Sequence, residues 1–422
     1  MSKKLIKDKK KKLTKFTLSN NIGSEEINAV KKVLKSGVLS GFIAREGSLE
    51  GGPYVKKFEN QIKKKFRVKH AITLNSWTSG LIAMMGAINI QPGDEVILSP
   101  WTMSACASAI LHYNAIPIFV DIDKDTYCID PKKIVSKITK KTKAIMGIDI
   151  FGHSCEMDEI LKIAKKNKLY ILSDSAQAIG AKYKKKYAGT ICDLGGYSLN
   201  FHKHIHTGEG GIIVTNNRYL AKRCKLIRNH AESLVNKDIS KNELSNLIGY
   251  NFRMTEIQAA IGIEQLKKLD KIIYQKQETA TKLINGLKNL KGIKLPIIKK
   301  GCTHAFYNFA IQIDKSVIKV SRDKIFKNLK LEGVPVSNAY PSIHLLPLFQ
   351  KKIAFGNLHF PWSQNKKNRI ISYKKGICPT AENLNDYSYI GLNMWKYNYS
   401  NRNISEIIRS FYKIWNKFKI NK

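Results

Sequence analysis

Lys203 stands in the stretch Tyr197-Ser198-Leu199-Asn200-Phe201-His202-Lys203-His204-Ile205-His206-Thr207-Gly208-Glu209-Gly210-Gly211. An apolar run ends there, a polar loop carries the lysine, and glycines lead into a second β-type run, Ile212-Ile213-Val214-Thr215. A primary amine on such a loop is a nucleophile and a base when its surroundings favour the neutral form. Most lysines are simply exposed, so the loop alone implies no chemistry. Asp174 adds a partner. It follows the apolar run Leu169-Tyr170-Ile171-Leu172, within Ser173-Asp174-Ser175-Ala176-Gln177-Ala178. An acid at the carboxyl end of a strand faces the crevice where open α/β sheets bind ligands. Its structural alternative is a helix N-cap. A third segment, Asn75-Ser76-Trp77-Thr78-Ser79-Gly80, lies between a strand ending at Leu74 and a helix starting near Thr78. The backbone N–H groups of such a helix start suit a phosphate. Thr78 supplies a hydroxyl and Ser198 a second.

An amine, a carboxylate and an anion site together match the needs of pyridoxal phosphate (PLP). Lys203 would hold its aldehyde as a Schiff base. Asp174 would sit against the pyridine nitrogen and keep the ring an electron sink. Ser76, Trp77, Thr78 and Ser198 would take the phosphate.

The elements that must position these groups follow from periodicity. His70–Leu74, Glu95–Leu98, 116–120, 144–148 and 169–172 read as strands, with helical patterns such as 157–166 between them. Buried strands alternating with helices predict an α/β fold with a large, mostly parallel mixed sheet and helices on both faces. A long helical stretch runs from Thr255 towards Leu290. Beyond it, a strand over 304–313 and helices over 322–331 and 404–418 predict a smaller C-terminal α+β domain. The expected organisation is a basic N-terminal arm over 1–20, a large PLP-binding domain over 21–270 and a small domain over 271–422.

The chain has 422 residues, with 73 Lys+Arg against 32 Asp+Glu, a formal charge of +41. The basic residues are dispersed in short runs such as Lys63-Lys64-Lys65, without interleaved aromatics. That pattern reads as a solvated surface rather than a nucleic-acid face, and nucleic acid is not an expected partner. The seven cysteines form no CxxC pair and match no zinc spacing, so no metal is expected and a reducing, cytoplasmic setting is. No apolar run reaches the ~18 residues of a membrane span.

These segments together resemble the DegT/StrS family of PLP-dependent nucleotide-sugar aminotransferases, of the aspartate aminotransferase superfamily and fold type I. The similarity runs from about Ser19 to the last helix. The lysine loop resembles the family pattern SFxxxKxxxxGEGG, with Leu199 in place of Phe. Asp174 and Gln177 fall in its DxAQA stretch, where Gln packs near the ring's 3-hydroxyl. Gly249-Tyr250-Asn251-Phe252-Arg253 matches the stretch whose Asn reaches the cofactor phosphate of a partner subunit. The 92–97 and 340–344 segments also fit.

Two further positions depart from the family. Trp77 stands where a small residue is usual, and Met103 where many members stack an aromatic on the ring. Trp77, Trp101 or Met103 is then the candidate for stacking. The resemblance implies transfer of an amino group from glutamate to a keto group of a nucleotide-linked sugar, for polysaccharide or lipopolysaccharide biosynthesis. It also implies a homodimer with shared active sites. Arg253 is the candidate for the diphosphate, and the loops over 37–53, 231–247 and 344–368 for the rest of the substrate. The alternatives are a PLP-dependent keto-deoxysugar dehydratase, which in this family carries His in place of the Lys, or a non-catalytic regulatory or nucleic-acid-binding protein on the same fold.

Overall fold

The computed structural model describes residues 13–43, 49–231 and 245–420. Seven apolar runs form one sheet: β1 (His70–Leu74), β2 (Glu95–Leu98), β3 (Ile116–Phe119), β4 (Thr142–Ile148), β5 (Tyr170–Asp174), β6 (Leu194–Ser198) and β7 (Gly211–Thr215). Their order is β1-β7-β6-β5-β4-β2-β3. β7 is antiparallel to both neighbours and the remaining pairs are parallel. A parallel sheet needs cover on both faces, because its strands are apolar on both.

Alternation along the strands divides that cover into two cores. Ile72 and Ile213 face one, with Leu81 of α3 (Trp77–Ala87), Ile110 of α4 (Ala105–His112) and Ile160 of α5 (Met157–Asn167). Ala71, Ile212 and Val214 face the other. Phe58 and Ile62 of α2 (Pro53–Phe66) and Ile263 and Leu266 of α7 (Glu256–Leu287) pack there. Helices α1 (Ser24–Ser36), α2, α4 and α6 (Arg218–Arg228) complete the layers; the periodicity reading had not singled them out.

α7 is 32 residues long, about 48 Å at the helical rise. Thr255 and Gln258 cap it reciprocally, which keeps the entry to the helix sharp. Its residues up to Ile273 join the second core, whereas Ala280, Leu283 and Leu287 belong to a third. That third core lies under an antiparallel sheet of β8 (Ile293–Lys294), β9 (Phe309–Ile313), β10 (Val336–Ser337) and β11 (Tyr389–Leu392), in the order β8-β9-β11-β10. α8 (Arg322–Leu331) and α9 (Asn401–Lys417) pack on it.

The strand expected over 304–313 is shorter, because residues 304–308 leave the small sheet. Ala305 N–H donates to the Gly152 carbonyl at 2.8 Å and Tyr307 N–H to the Phe151 carbonyl at 2.9 Å. This detour ties the chain ahead of β9 to the loop after β4 and aims Tyr307 at the Lys203 loop. The described residues ahead of α1 dock on the C-terminal part of the chain. Thr17–Leu18 pairs with Tyr397–Asn398, and Thr14 donates to the Glu406 carboxylate. Residues 1–12 of the arm lie outside the described residues. No helix among the described residues is long and apolar enough to cross a membrane.

Candidate active site

The sheet brings the two central residues together. β5 and β6 are parallel neighbours, with Asp174 opposite Gly196, so the end of β5 and the loop leaving β6 open on one side. The loop is tied at its neck by Leu199 N–H to Gly210 O (2.9 Å) and Thr207 N–H to Leu199 O (3.0 Å). Asn200 closes it further, donating from Nδ2 to Glu209 at 2.6 Å while its carbonyl accepts the Lys203 N–H at 2.9 Å. His204 is buried and anchors the loop through Nε2 on the Ala305 carbonyl (2.8 Å).

The Lys203 amine meets no hydrogen-bond acceptor among the described residues; its Nζ lies 4.7 Å from the centre of the Tyr307 ring. Partial burial pulls the amine down to about 8, and the charge of Asp174 offsets only part of that. His202 is pulled down to about 4, first by burial and then by Lys203. It stands beside Lys203 as a neutral ring, its Nδ1 3.2 Å from the Tyr307 hydroxyl.

Asp174 is 6% exposed. Its Oδ1 accepts the Trp77 indole N–H at 2.7 Å and the Ala176 N–H at 3.0 Å, and its Oδ2 accepts the Cys106 thiol at 2.9 Å. The segment after Asp174 is a turn, so the residue does not cap a helix. Gln177 accepts the Phe151 N–H (2.8 Å) and donates to the Tyr340 hydroxyl (3.0 Å).

At the start of α3, Ser76 is the N-cap and its hydroxyl accepts the Ser79 N–H at 3.0 Å. Thr78 is exposed in the first turn. The glycine run of the lysine loop reaches this helix. A Cβ on Gly211 would sit 2.5 Å from the Ser76 carbonyl and 2.8 Å from the Trp77 nitrogen, so only glycine permits the approach. Ser198 is 6% exposed and accepts the Asn200 N–H at 3.2 Å. The 251–253 segment lies alongside, since the Asn75 N–H donates to the Phe252 carbonyl and Asn75 Nδ2 to the Asn251 carbonyl. Asn251 is exposed, its Oδ1 accepting Arg253 Nε at 2.8 Å.

Two candidates for stacking are engaged elsewhere. Trp101 is fully buried among Tyr127, Phe151, Tyr340 and Tyr389, and its N–H donates to the Tyr340 carbonyl. The Trp77 indole is buried against Asp174. Met103 is 64% exposed just ahead of α4. Of the substrate loops, residues 44–48 and 232–244 lie outside the described residues. Sequence reasoning missed Cys106, Tyr307 and Tyr340 as parts of this site. Tyr340 was within reach of it, in the 340–344 match; for Cys106 and Tyr307 no local pattern existed.

These groups fit PLP. A half-buried amine without an acceptor among the described residues suits an aldehyde, a buried carboxylate can hold a ring nitrogen, and a helix start with an exposed hydroxyl suits the phosphate.

The model of the DegT/DnrJ/EryC1/StrS aminotransferase family matches residues 20–382. Among curated proteins, the spore coat polysaccharide biosynthesis protein SpsC of Bacillus subtilis is 34% identical over 357 residues, 83% of this chain and 89% of that protein. The GDP-perosamine synthase of Escherichia coli O157:H7 is 34% identical over 301 residues, 71% of this chain and 80% of its own. Among solved structures, the aminotransferase from Psychrobacter cryohalolentis superposes with a TM-score of 0.81 at 26% identity, covering 96% of this chain and all of that one.

Proposed function

Because the chain belongs to the DegT/DnrJ/EryC1/StrS aminotransferase family, and is a PLP-dependent aminotransferase, we propose that it aminates a keto group of a nucleotide-linked sugar with glutamate as donor. The observation that carries the reading is the half-buried Lys203 amine, held at about 8 in the field of Asp174. A lysine at this position, rather than the histidine of the dehydratases, favours transamination. The names of the two curated relatives support a sugar substrate and a role in polysaccharide biosynthesis.

PLP, when bound, supplies an aldehyde and an electron sink for the carbanion formed at the donor's α-carbon. Lys203 would hold the aldehyde carbon and, once released, take the α-proton at Nζ and return it. An amine that loses its proton near pH 8 is poised for both directions of that transfer. Asp174 would hold the ring nitrogen, with Gln177 at the ring's edge. Ser76, Thr78, Ser198 and the first amides of α3 would bind the phosphate. Met103 is the remaining candidate to lie over the ring through its polarizable sulfur.

We further propose a homodimer in which Asn251 reaches the partner's phosphate. Its exposure supports this, as do the exposed apolar residues Phe201, Met103 and Ile248, which neighbour Lys203, Cys106 and Asn251 in the chain. Seven free cysteines support a cytoplasmic setting.

The test is the absorption spectrum of the protein with PLP. Borohydride is expected to fix the cofactor on the peptide containing Lys203, and glutamate to bleach the visible band of the unreduced protein. A nucleotide-linked keto sugar should then restore it. A cofactor that borohydride cannot fix would overturn the reading.

A further inference from the structure

The carboxylate of Asp174 is held by three neutral donors, and they are unevenly divided. Oδ1 accepts two, the Trp77 indole and the Ala176 amide; Oδ2 accepts one, the Cys106 thiol. A carboxylate offers about four lone-pair sites, two on each oxygen. The site left over is therefore on Oδ2. Thiols are weak donors, so the pull on Oδ1 is also the stronger.

The indole itself has little freedom. A Cβ on Gly196, in the middle of β6, would lie 2.5 Å from Cη2 and Cζ3 of Trp77, and one on Gly80 would lie 2.8 Å from Cε3. Two glycines thus hollow the slot in which the ring lies flat between α3 and the sheet. The ring's only polar atom meets Asp174. A carboxylate torsion is otherwise broad, so a fixed donor decides its plane.

Trp77 is also the first residue of α3, whose start is the candidate phosphate site. One residue therefore spans both ends of the cofactor site, by its backbone at one and its indole at the other.

We propose that Trp77 is a positioning residue for Asp174: its indole N–H occupies Oδ1 and turns Oδ2 to the pyridine nitrogen of the cofactor. Cys106 completes the cage from α4. This rests on the reading of Asp174 as the ring-nitrogen partner, and the test separates the two.

Trp77→Phe keeps the aromatic ring and removes the N–H. Affinities of the apoprotein for PLP and for pyridoxal, which lacks the phosphate, are measured for wild type, Trp77→Phe and Asp174→Asn. Loss of one hydrogen bond to a charged group is expected to weaken both ligands by about tenfold. An equal loss for the two ligands supports action through the ring. A loss confined to PLP means action through the phosphate, and overturns the proposal. Unchanged affinity in Trp77→Phe, with Asp174→Asn impaired, overturns the proposal alone. Unchanged affinity in Asp174→Asn overturns the reading of Asp174 as well.

A second measurement needs no Trp77 variant. In apoprotein labelled with ¹⁵N-tryptophan, one of the five indole N–H resonances is expected far downfield, and to move upfield in Asp174→Ala. Five indole resonances insensitive to that substitution would overturn the proposal even if Trp77→Phe failed to fold.

Discussion

The Nζ of Lys203 lies 4.7 Å from the centre of the Tyr307 ring, a face that offsets part of the water the amine has lost. The contact joins the Lys203 loop to the chain ahead of β9. Tyr307 comes from the 304–308 detour that leaves the small sheet to pair with Phe151 and Gly152.

A ring face favours the charged amine, by about 0.5–1 kcal/mol or more when desolvated. Removing it in Tyr307→Leu is expected to lower the Lys203 titration below 8 by about half a unit to one unit. Tyr307→Phe keeps the face and is expected to leave the titration in place. The pH dependence of PLP capture by the apoprotein measures both. A Leu variant that titrates as wild type does would show that the ring has no electrostatic part.

The same capture rate carries a prediction for the wild type. Only the neutral amine attacks the aldehyde, so the rate is expected to rise about tenfold per pH unit at low pH and to level off above about 8. A midpoint near the ordinary lysine value of 10.5 would mean that the site does not desolvate the amine.

Stability follows with a definite sign. Unfolded Lys203 keeps its proton up to 10.5, whereas the folded chain releases it near 8. Unfolding therefore takes up a proton between these values, and raising the pH through that window stabilises the fold. Below pH 8 the partly desolvated charge is a net cost. Lys203→Met is expected to raise the apoprotein's stability there by about 1–3 kcal/mol, with the gain vanishing above pH 10.5. Thermal melts of the two apoproteins at pH 7 and pH 10.5 check it; an equal difference at both would rule out the charge as its cause.

Gly196→Ala is expected to destabilise by about 3 kcal/mol or more. Its Cβ would fall 1.9 Å from the Ile212 carbonyl and 2.5 Å from the Trp77 ring. Both are held on each side, so neither can give way. Urea unfolding measures the loss, and a change under 1 kcal/mol would mean that β6 and β7 can part there.

A shared site makes a prediction about mixtures. Lys203→Ala and Asn251→Ala subunits, each impaired alone, are expected to recover part of the activity when refolded together. One site of each mixed dimer then has both residues intact. No recovery over the separate variants would place Asn251 and Lys203 in sites that do not cross the interface.

What the sequence determined by itself was local. Alternation and helical period, set by neighbouring residues, located the strands His70–Leu74 and Glu95–Leu98 and the helix Arg322–Leu331 at their observed bounds. They also set Asp174 at a strand end and Lys203 on a loop closed by glycines. The same patterns read residues 304–308 as strand, because pairing with Phe151 and Gly152 is a choice made between segments far apart in the chain. Which groups act on Asp174 was decided only in three dimensions. Trp77 and Cys106 are 97 and 68 residues away from it along the chain. The indole meets the carboxylate because α3 packs over β6 and Gly196 leaves room. Trp77 read from sequence alone was a misfit at a phosphate loop; folded, it is a hydrogen-bond donor whose partner no spacing rule encodes.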